Sequence, residues 1–191
     1  MSGPKGYSHD RSIYNIKRIG AINVTRQRKG VMEFLNSVAD MIEGKKLDII
    51  EIGSGQEKSI PIIFAGHNII RTDFEGQPNL EQLDIRKAPI KEHKEKYDVV
   101  ICCEVLEHVR DIEKAIKNLC KYAKKGGMII TTTPFCYHIH EIPQVKDYHR
   151  PTGTFLKEIF SENVSKVDVK PIMDEITSKY LPWGYSVLGI K

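Results

Sequence analysis

The chain has no long hydrophobic run. Its apolar stretches fall well short of the roughly 20 residues that a membrane-crossing helix needs, and the opening residues lack the apolar core of a secretory signal. Cysteine is sparse. Cys102, Cys103, Cys120 and Cys136 form no Cys-x-x-Cys pair, which argues against a zinc ribbon. The adjacent Cys102 and Cys103 read as small apolar residues at a strand end rather than as a redox pair, and a reducing cytoplasm is the expected compartment. Acidic residues are scarce at the start. Only Asp10 opposes Lys5, Arg11, Lys17, Arg18, Arg26, Arg28 and Lys29. Two readings of that stretch stand: a solvated basic arm, or a lid over an anionic substrate.

What remains is ordinary globular material. The 191 residues are 40% hydrophobic and 28% charged, with a formal charge of +4. That composition suits one domain with a substantial core. The expected division is a basic N-terminal arm over residues 1–29, with one short helix near residues 13–19, and a single α/β domain over residues 30–191. Apolar residues at helical spacing, Val31, Phe34, Leu35, Val38, Met41 and Ile42, place a helix over residues 30–42 that Gly44 stops. Strands are expected at residues 47–52, 68–74, 80–84, 97–102 and 128–133. A short helix follows the first strand, with Pro61 in its first turn. Residues 111–123 form an amphipathic helix that Lys124, Lys125, Gly126 and Gly127 terminate. Another helix covers residues 152–160. Two closing strands, residues 166–173 and 183–190, have too short a connection for a parallel crossover, so they pair antiparallel. The alternation gives an α/β fold, Rossmann-like and doubly wound, with a mostly parallel seven-stranded sheet.

The run Asp48-Ile49-Ile50-Glu51-Ile52-Gly53-Ser54-Gly55 is a buried strand that ends beside an acid and enters a glycine turn. Such a turn brings backbone N–H groups close to a small anionic or zwitterionic ligand. A dinucleotide site wants Gly-x-Gly-x-x-Gly. Here the third glycine is absent, and Glu57 sits where a pyrophosphate needs positive potential. No Gly-Lys-Ser/Thr follows, so a P-loop is excluded. Asp73 closes the next apolar run.

Glu51-x-Gly53-x-Gly55 resembles the first motif of the class I S-adenosylmethionine-dependent methyltransferases. The resemblance continues in order along most of the chain, through Asp73, Asp84-Ile85, Cys103-Glu104-Val105-Leu106-Glu107-His108-Val109 and Thr133-Pro134. It implies a cofactor site of Glu51, Gly53, Ser54, Gly55, Asp73, Phe74, Asp84, Ile85, Cys103 and Glu104, with S-adenosyl-L-methionine as the cofactor. Asp73 would hold the ribose hydroxyls, a task suited to a carboxylate because it accepts two hydrogen bonds at once. Asp84 and the Ile85 amide would hold the adenine. Glu104 would face the cofactor end of the cleft, and His108 would pack structurally. The chain departs from the pattern at Glu57 and in the short helix carrying Pro61. Asp73 as a helix cap and Asp84 as a turn carboxylate are the plainer alternatives.

The stretch from Phe135 to Arg150 lies beyond a parallel strand's C-terminal end, where open α/β sheets bind ligands. It resembles a His-x-x-Pro…Asp-Tyr-x-Arg pattern of small methyltransferases associated with sugar and polysaccharide biosynthesis, matched at His140, Pro143, Asp147, Tyr148 and Arg150. A hydroxyl acceptor needs a base as its new bond forms, and histidine titrates in the right range. His140 is the first candidate and His149 the second. Asp147 would orient the base, and Tyr148 and Arg150 would contact the substrate, with Arg150 able to grip a phosphate or carboxylate. An Asp147–Arg150 bridge that only pins the loop is equally compatible with the spacing. His138-x-His140-Glu141 supplies metal-type ligands but no third partner is identifiable, so no metal is expected.

The expected function is methyl transfer to oxygen of a small polar acceptor, such as a sugar or nucleotide-sugar. Nucleic acid, reached through the basic arm, is a less favoured acceptor. The family's base-amine enzymes carry Asn/Asp-Pro-Pro-Tyr/Phe where this chain has Cys103-Glu104-Val105-Leu106. A non-catalytic cofactor-binding module is a third reading.

Overall fold

The computed structural model describes residues 26–55, 58–174 and 179–191. The expected helix near residues 13–19, most of the basic arm and Glu57 lie outside them. The described elements run in order α1 (Arg26–Met41), β1 (Asp48–Ile52), α2 (Ser59–Ile63), β2 (Asn68–Asp73), β3 (Glu81–Gln82), β4 (Tyr97–Cys103), α3 (Ile112–Cys120), β5 (Ala123–Pro134), α4 (Gly153–Ser161), β6 (Lys166–Ile172) and β7 (Gly184–Ile190). A single 3₁₀ turn, Leu106–His108, follows β4.

The strands form one seven-stranded sheet in the order β3-β2-β1-β4-β5-β7-β6. Pairings are parallel from β3 through β5. β7 is antiparallel to both β5 and β6, as the short final connection requires. Order reverses between β1 and β4. Ligands of open α/β sheets bind at such a switch point, beyond the strands' carboxyl ends.

Strand alternation divides the core in two. In β4, Val99 and Ile101 pack with Ile49 of β1 and with Val31, Leu35 and Val38 of α1. Val100 and Cys102 face the other way, against Ile116 and Leu119 of α3 and Leu156 and Phe160 of α4. Both faces are covered, which is why β4 reads as a continuous apolar run. Cys102 and Cys120 are buried free thiols within this packing. Asp111 caps α3 by accepting from the Lys114 amide at 3.1 Å, and Thr152 caps α4 through the Phe155 amide at 3.2 Å.

Three expectations need correction. The helix expected over residues 30–42 spans Arg26–Met41. The strand expected over residues 80–84 is the two-residue β3. The largest difference concerns Lys124 to Gly127. These residues do not terminate a helix, for α3 ends at Cys120 and β5 already starts at Ala123. Ala123 pairs with Tyr97, and the register then slips before Val99 pairs with Met128. Gly126 sits at φ +77° within this irregularity. A Cβ on Gly127 would lie 2.9 Å from the carbonyl oxygens of Tyr97 and Lys124. The two glycines serve a sheet bulge, a role that matches a helix stop in composition.

Candidate active site

β1 ends at Ile52 and the chain turns through Gly53-Ser54-Gly55. Gly53 adopts φ +76° and Gly55 φ +49°, the left-handed region that glycine enters freely. A Cβ on Gly53 would meet Val105 Cγ2 at 2.3 Å, so the turn after β1 and the segment after β4 touch at a point only glycine permits. The amides of Gly53 and Ser54 both donate to the Thr72 carbonyl, at 3.0 and 2.9 Å. The Gly55 amide donates to Asp73 Oδ2 at 2.8 Å, and the Glu75 amide to Oδ1 at 3.3 Å. Asp73 thus sits at the rim of β2 with each oxygen holding one backbone donor. A carboxylate has capacity for further donors.

The remaining cofactor-site candidates fall around this turn. Arg71 Nε donates to Glu51 Oε2 at 3.0 Å, so Glu51 faces a guanidinium rather than open cleft alone. Asp84 accepts a forked pair from Arg86, at 2.7 and 2.9 Å. The Arg86 bonds hold the Asp84 carboxyl below its usual range against the opposing effect of burial. Phe74 lies under the same guanidinium, 5.8 Å from its ring centre. Ile85 is buried, and its carbonyl accepts from Asn118 Nδ2 at 2.9 Å. Cys103 ends β4, and burial pushes its thiol up to about 12.

Two adjoining hollows share Gly53 and Glu104. One, of about 190 Å³, runs past Gly55, Asp73, Asp84 and His108. The other, of about 180 Å³, lies beneath the glycine turn beside Arg28, Glu51, Ser54 and Cys103. Glu104 stands where they meet and carries backbone strain, with φ +56°. Gln27 Nε2 of α1 hydrogen-bonds its Oε2. Its Oε1 is buried with no hydrogen-bond partner, as is Ser54 Oγ. Burial raises the Glu104 carboxyl above its ordinary range.

Residues 135–150 are stitched onto the turn that follows β4. Tyr148 and His149 amides donate to the Glu107 carbonyl at 2.8 and 3.2 Å. His108 Nδ1 bonds the Lys146 carbonyl at 2.8 Å. His140 Nδ1 lies 3.3 Å from Asp147 Oδ2, and the His140 amide donates to the same oxygen at 3.1 Å. Asp147 Oδ2 thus lies against both the backbone and the ring of His140. Arg150 clamps the Asp147 carboxylate through both terminal nitrogens and donates to the His138 and His149 carbonyls at 3.1 and 2.8 Å. This is the loop-pinning geometry. Arg150 is committed to the loop, which departs from its assignment as a substrate anchor. His149 Nε2 is bound to the Arg110 carbonyl at 3.0 Å, away from the His108–His140 pair. Tyr148 is exposed.

The sequence reading gave no role to two residues. Gln27, at the start of α1, holds Glu104, and Glu107 is wholly buried. His108, read as a packing residue, lines the hollow that runs past Asp73 and Asp84. The ring centres of His108 and His140 are 4.9 Å apart, edge to face. The ligand-type atoms of Glu107, His108 and His140 lie within 4.8 Å of one another. Of the expected His138-x-His140-Glu141 set only His140 belongs to this group, and its other two members come from the turn after β4. Burial was the missing signal: Glu-His in a sequence says nothing of whether its carboxylate reaches water.

A family model described as a methyltransferase domain matches residues 15–163. The chain belongs to the class I S-adenosylmethionine-dependent methyltransferases. A ubiquinone biosynthesis O-methyltransferase of Rickettsia akari is 33% identical over 102 residues, covering 46% of this chain and 40% of that protein. A relative of the same description from Shewanella is 46% identical over 47 residues, 25% of this chain and 20% of that one. The chain spans less than half the length of these curated relatives. Among solved structures, a methyltransferase from Clostridium acetobutylicum superposes with TM-score 0.63 at 11% identity, over 84% of this chain and 91% of that one. The magnesium protoporphyrin IX methyltransferase of Synechocystis, solved with bound SAM, gives 0.60 at 17% identity, over 95% and 88%. These likenesses concern the methyltransferase fold. Among the described residues, no helix is long and apolar enough to cross a membrane.

Proposed function

We propose that this chain is a methyltransferase that binds S-adenosylmethionine across the two hollows at Gly53 and delivers a methyl group to an oxygen of a small polar acceptor, such as a sugar or nucleotide-sugar. The observation that carries the reading is Glu104. A strained, half-buried carboxylate with one orphaned oxygen stands at the junction of both hollows, and strain of this kind collects at working sites. The fit to the cofactor rests on the same ground. At Gly55 nothing lies within 4 Å of where a Cβ would stand, and Ser54 Oγ offers an unspent hydroxyl.

In this reading Asp73 takes the ribose hydroxyls, and Asp84 with Ile85 takes the adenine. Gly53, Ser54 and Gly55 cradle the amino-acid tail, flanked by Glu51 and Cys103. The bound cofactor supplies a sulfonium methyl that moves to the acceptor oxygen as its bond to sulfur breaks. The protein's work is placement: holding the acceptor in line is worth several orders of magnitude in rate. The acceptor must also shed a proton. In this reading His140, oriented by Asp147, assists its removal, and Tyr148, exposed on the same loop, contacts the acceptor. The O-methyltransferase description of the curated relatives favours oxygen as the accepting atom.

Incubation with methyl-tritiated cofactor and a panel of sugars, nucleotide-sugars, phenols and RNA tests the proposal. Label in a sugar hydroxyl, lost with Glu104→Ala, is expected. Label confined to RNA, or to an amine, would overturn the acceptor class.

A further inference from the structure

Glu107 is the strangest group in the molecule. It is 0% exposed, and neither carboxylate oxygen accepts a hydrogen bond from another residue. A buried, unpaired carboxylate is costly and calls for a positive partner. Arg150, a cation of the acceptor loop, spends its terminal nitrogens on Asp147, His138 and His149.

Two imidazoles face that carboxylate, and their hydrogen bonds define which nitrogen is open. His108 Nδ1 lies 2.8 Å from the Lys146 carbonyl. A carbonyl only accepts, so Nδ1 carries the proton and Nε2 keeps its lone pair. That Nε2 is 3.7 Å from Glu107 Oε1. His140 repeats the arrangement, with Nδ1 placed between Asp147 Oδ2 at 3.3 Å and the His138 carbonyl at 3.2 Å. Its Nδ1 is thereby engaged, and Nε2 is the nitrogen left for a further partner. Outer partners that fix the tautomer in this way are the usual companions of metal-binding histidines.

We propose that Glu107, His108 and His140 form a binding site for a first-row transition-metal dication at the acceptor end of the cleft. The ligand atoms lie within 4.8 Å of one another. Bonds of about 2.0–2.2 Å to nitrogen and oxygen require them to draw in by roughly an ångström, a side-chain adjustment. Two imidazoles and one carboxylate suit zinc, manganese, iron or cobalt better than calcium or magnesium, which prefer all-oxygen shells. Three protein ligands leave positions open. An acceptor hydroxyl filling one would lose its proton to water more readily. The inference rests on the proposed acceptor site and deepens it: His140 assists deprotonation as a ligand of the ion.

Cobalt(II) reports on its own ligands by visible absorption. Tag-free, metal-stripped protein titrated with cobalt(II) is expected to bind one ion per chain and to develop bands of nitrogen and oxygen coordination. His140→Ala, on the surface loop, and the near-isosteric Glu107→Gln are each expected to weaken binding at least tenfold. Substoichiometric uptake, or equal affinity in the wild type and the His140→Ala variant, would overturn the site. S-adenosylhomocysteine titrated into the same samples gives a separate answer. Its failure to bind would sink the cofactor reading, and cobalt uptake alone decides the metal.

Discussion

His140 and Asp147 meet twice: the His140 amide donates to Asp147 Oδ2 at 3.1 Å, and its ring Nδ1 lies 3.3 Å from the same oxygen. With Arg150 on the other side, this one carboxylate, its side chain only 1% exposed, holds the acceptor loop in shape. Arg150→Ala would strand it. Loss of one partner of such a group typically costs about 1–3 kcal/mol, read as a lower midpoint in urea unfolding. Arg150→Lys is expected to recover little, because an ammonium cannot reproduce the two-pronged contact.

The two glycines of the turn are expected to differ. Gly53→Ala collides with Val105 and also strains φ, so cofactor affinity and stability should both fall. Gly55→Ala has the same sign of φ but open space around the new methyl. It carries only the backbone penalty, about 1–2 kcal/mol. Thermal unfolding of both variants, with and without S-adenosylhomocysteine, separates the two effects.

Far from the cleft, Asp98 links three strands. It accepts from the Asp48 amide at 2.9 Å and pairs with Lys124 at 2.5 Å. Burial opposes its charge, but these contacts prevail and its pKa is lowered in the folded protein. A depressed folded pKa contributes stability above the unfolded value, near 4, and loses it as pH falls through the folded one. Asp98→Asn should therefore reduce stability at neutral pH and flatten the loss of stability below about pH 4, followed by denaturant unfolding across pH.

Much of this architecture was legible before the fold was known. Val99-Val100-Ile101-Cys102 reads as a strand covered on both faces because each face has its own helices. Asp73 was recognisable because it closes an apolar run, and β2 places it at the sheet's rim. Lys124 to Gly127 misled, because lysines and paired glycines suit a helix end and a sheet bulge equally well. Only pairing with Tyr97, across the sheet, tells them apart. Arg150 and Asp147 are three residues apart, a spacing compatible with substrate contact or mutual contact, and packing chose the latter. Glu107 was hidden for another reason. Its side chain is sealed from water, and its carbonyl is bonded by the Tyr148 and His149 amides some 40 residues downstream, which no local pattern encodes.

The central claim is that the turn at Gly53 and the rim carboxylate Asp73 form an adenosylmethionine site, and isothermal titration with S-adenosylhomocysteine tests it most directly. The account predicts saturable one-to-one binding to the wild type, weakened at least tenfold in Asp73→Ala while the fold persists by circular dichroism. Absence of binding to the wild type, or undiminished affinity in the variant, would contradict it.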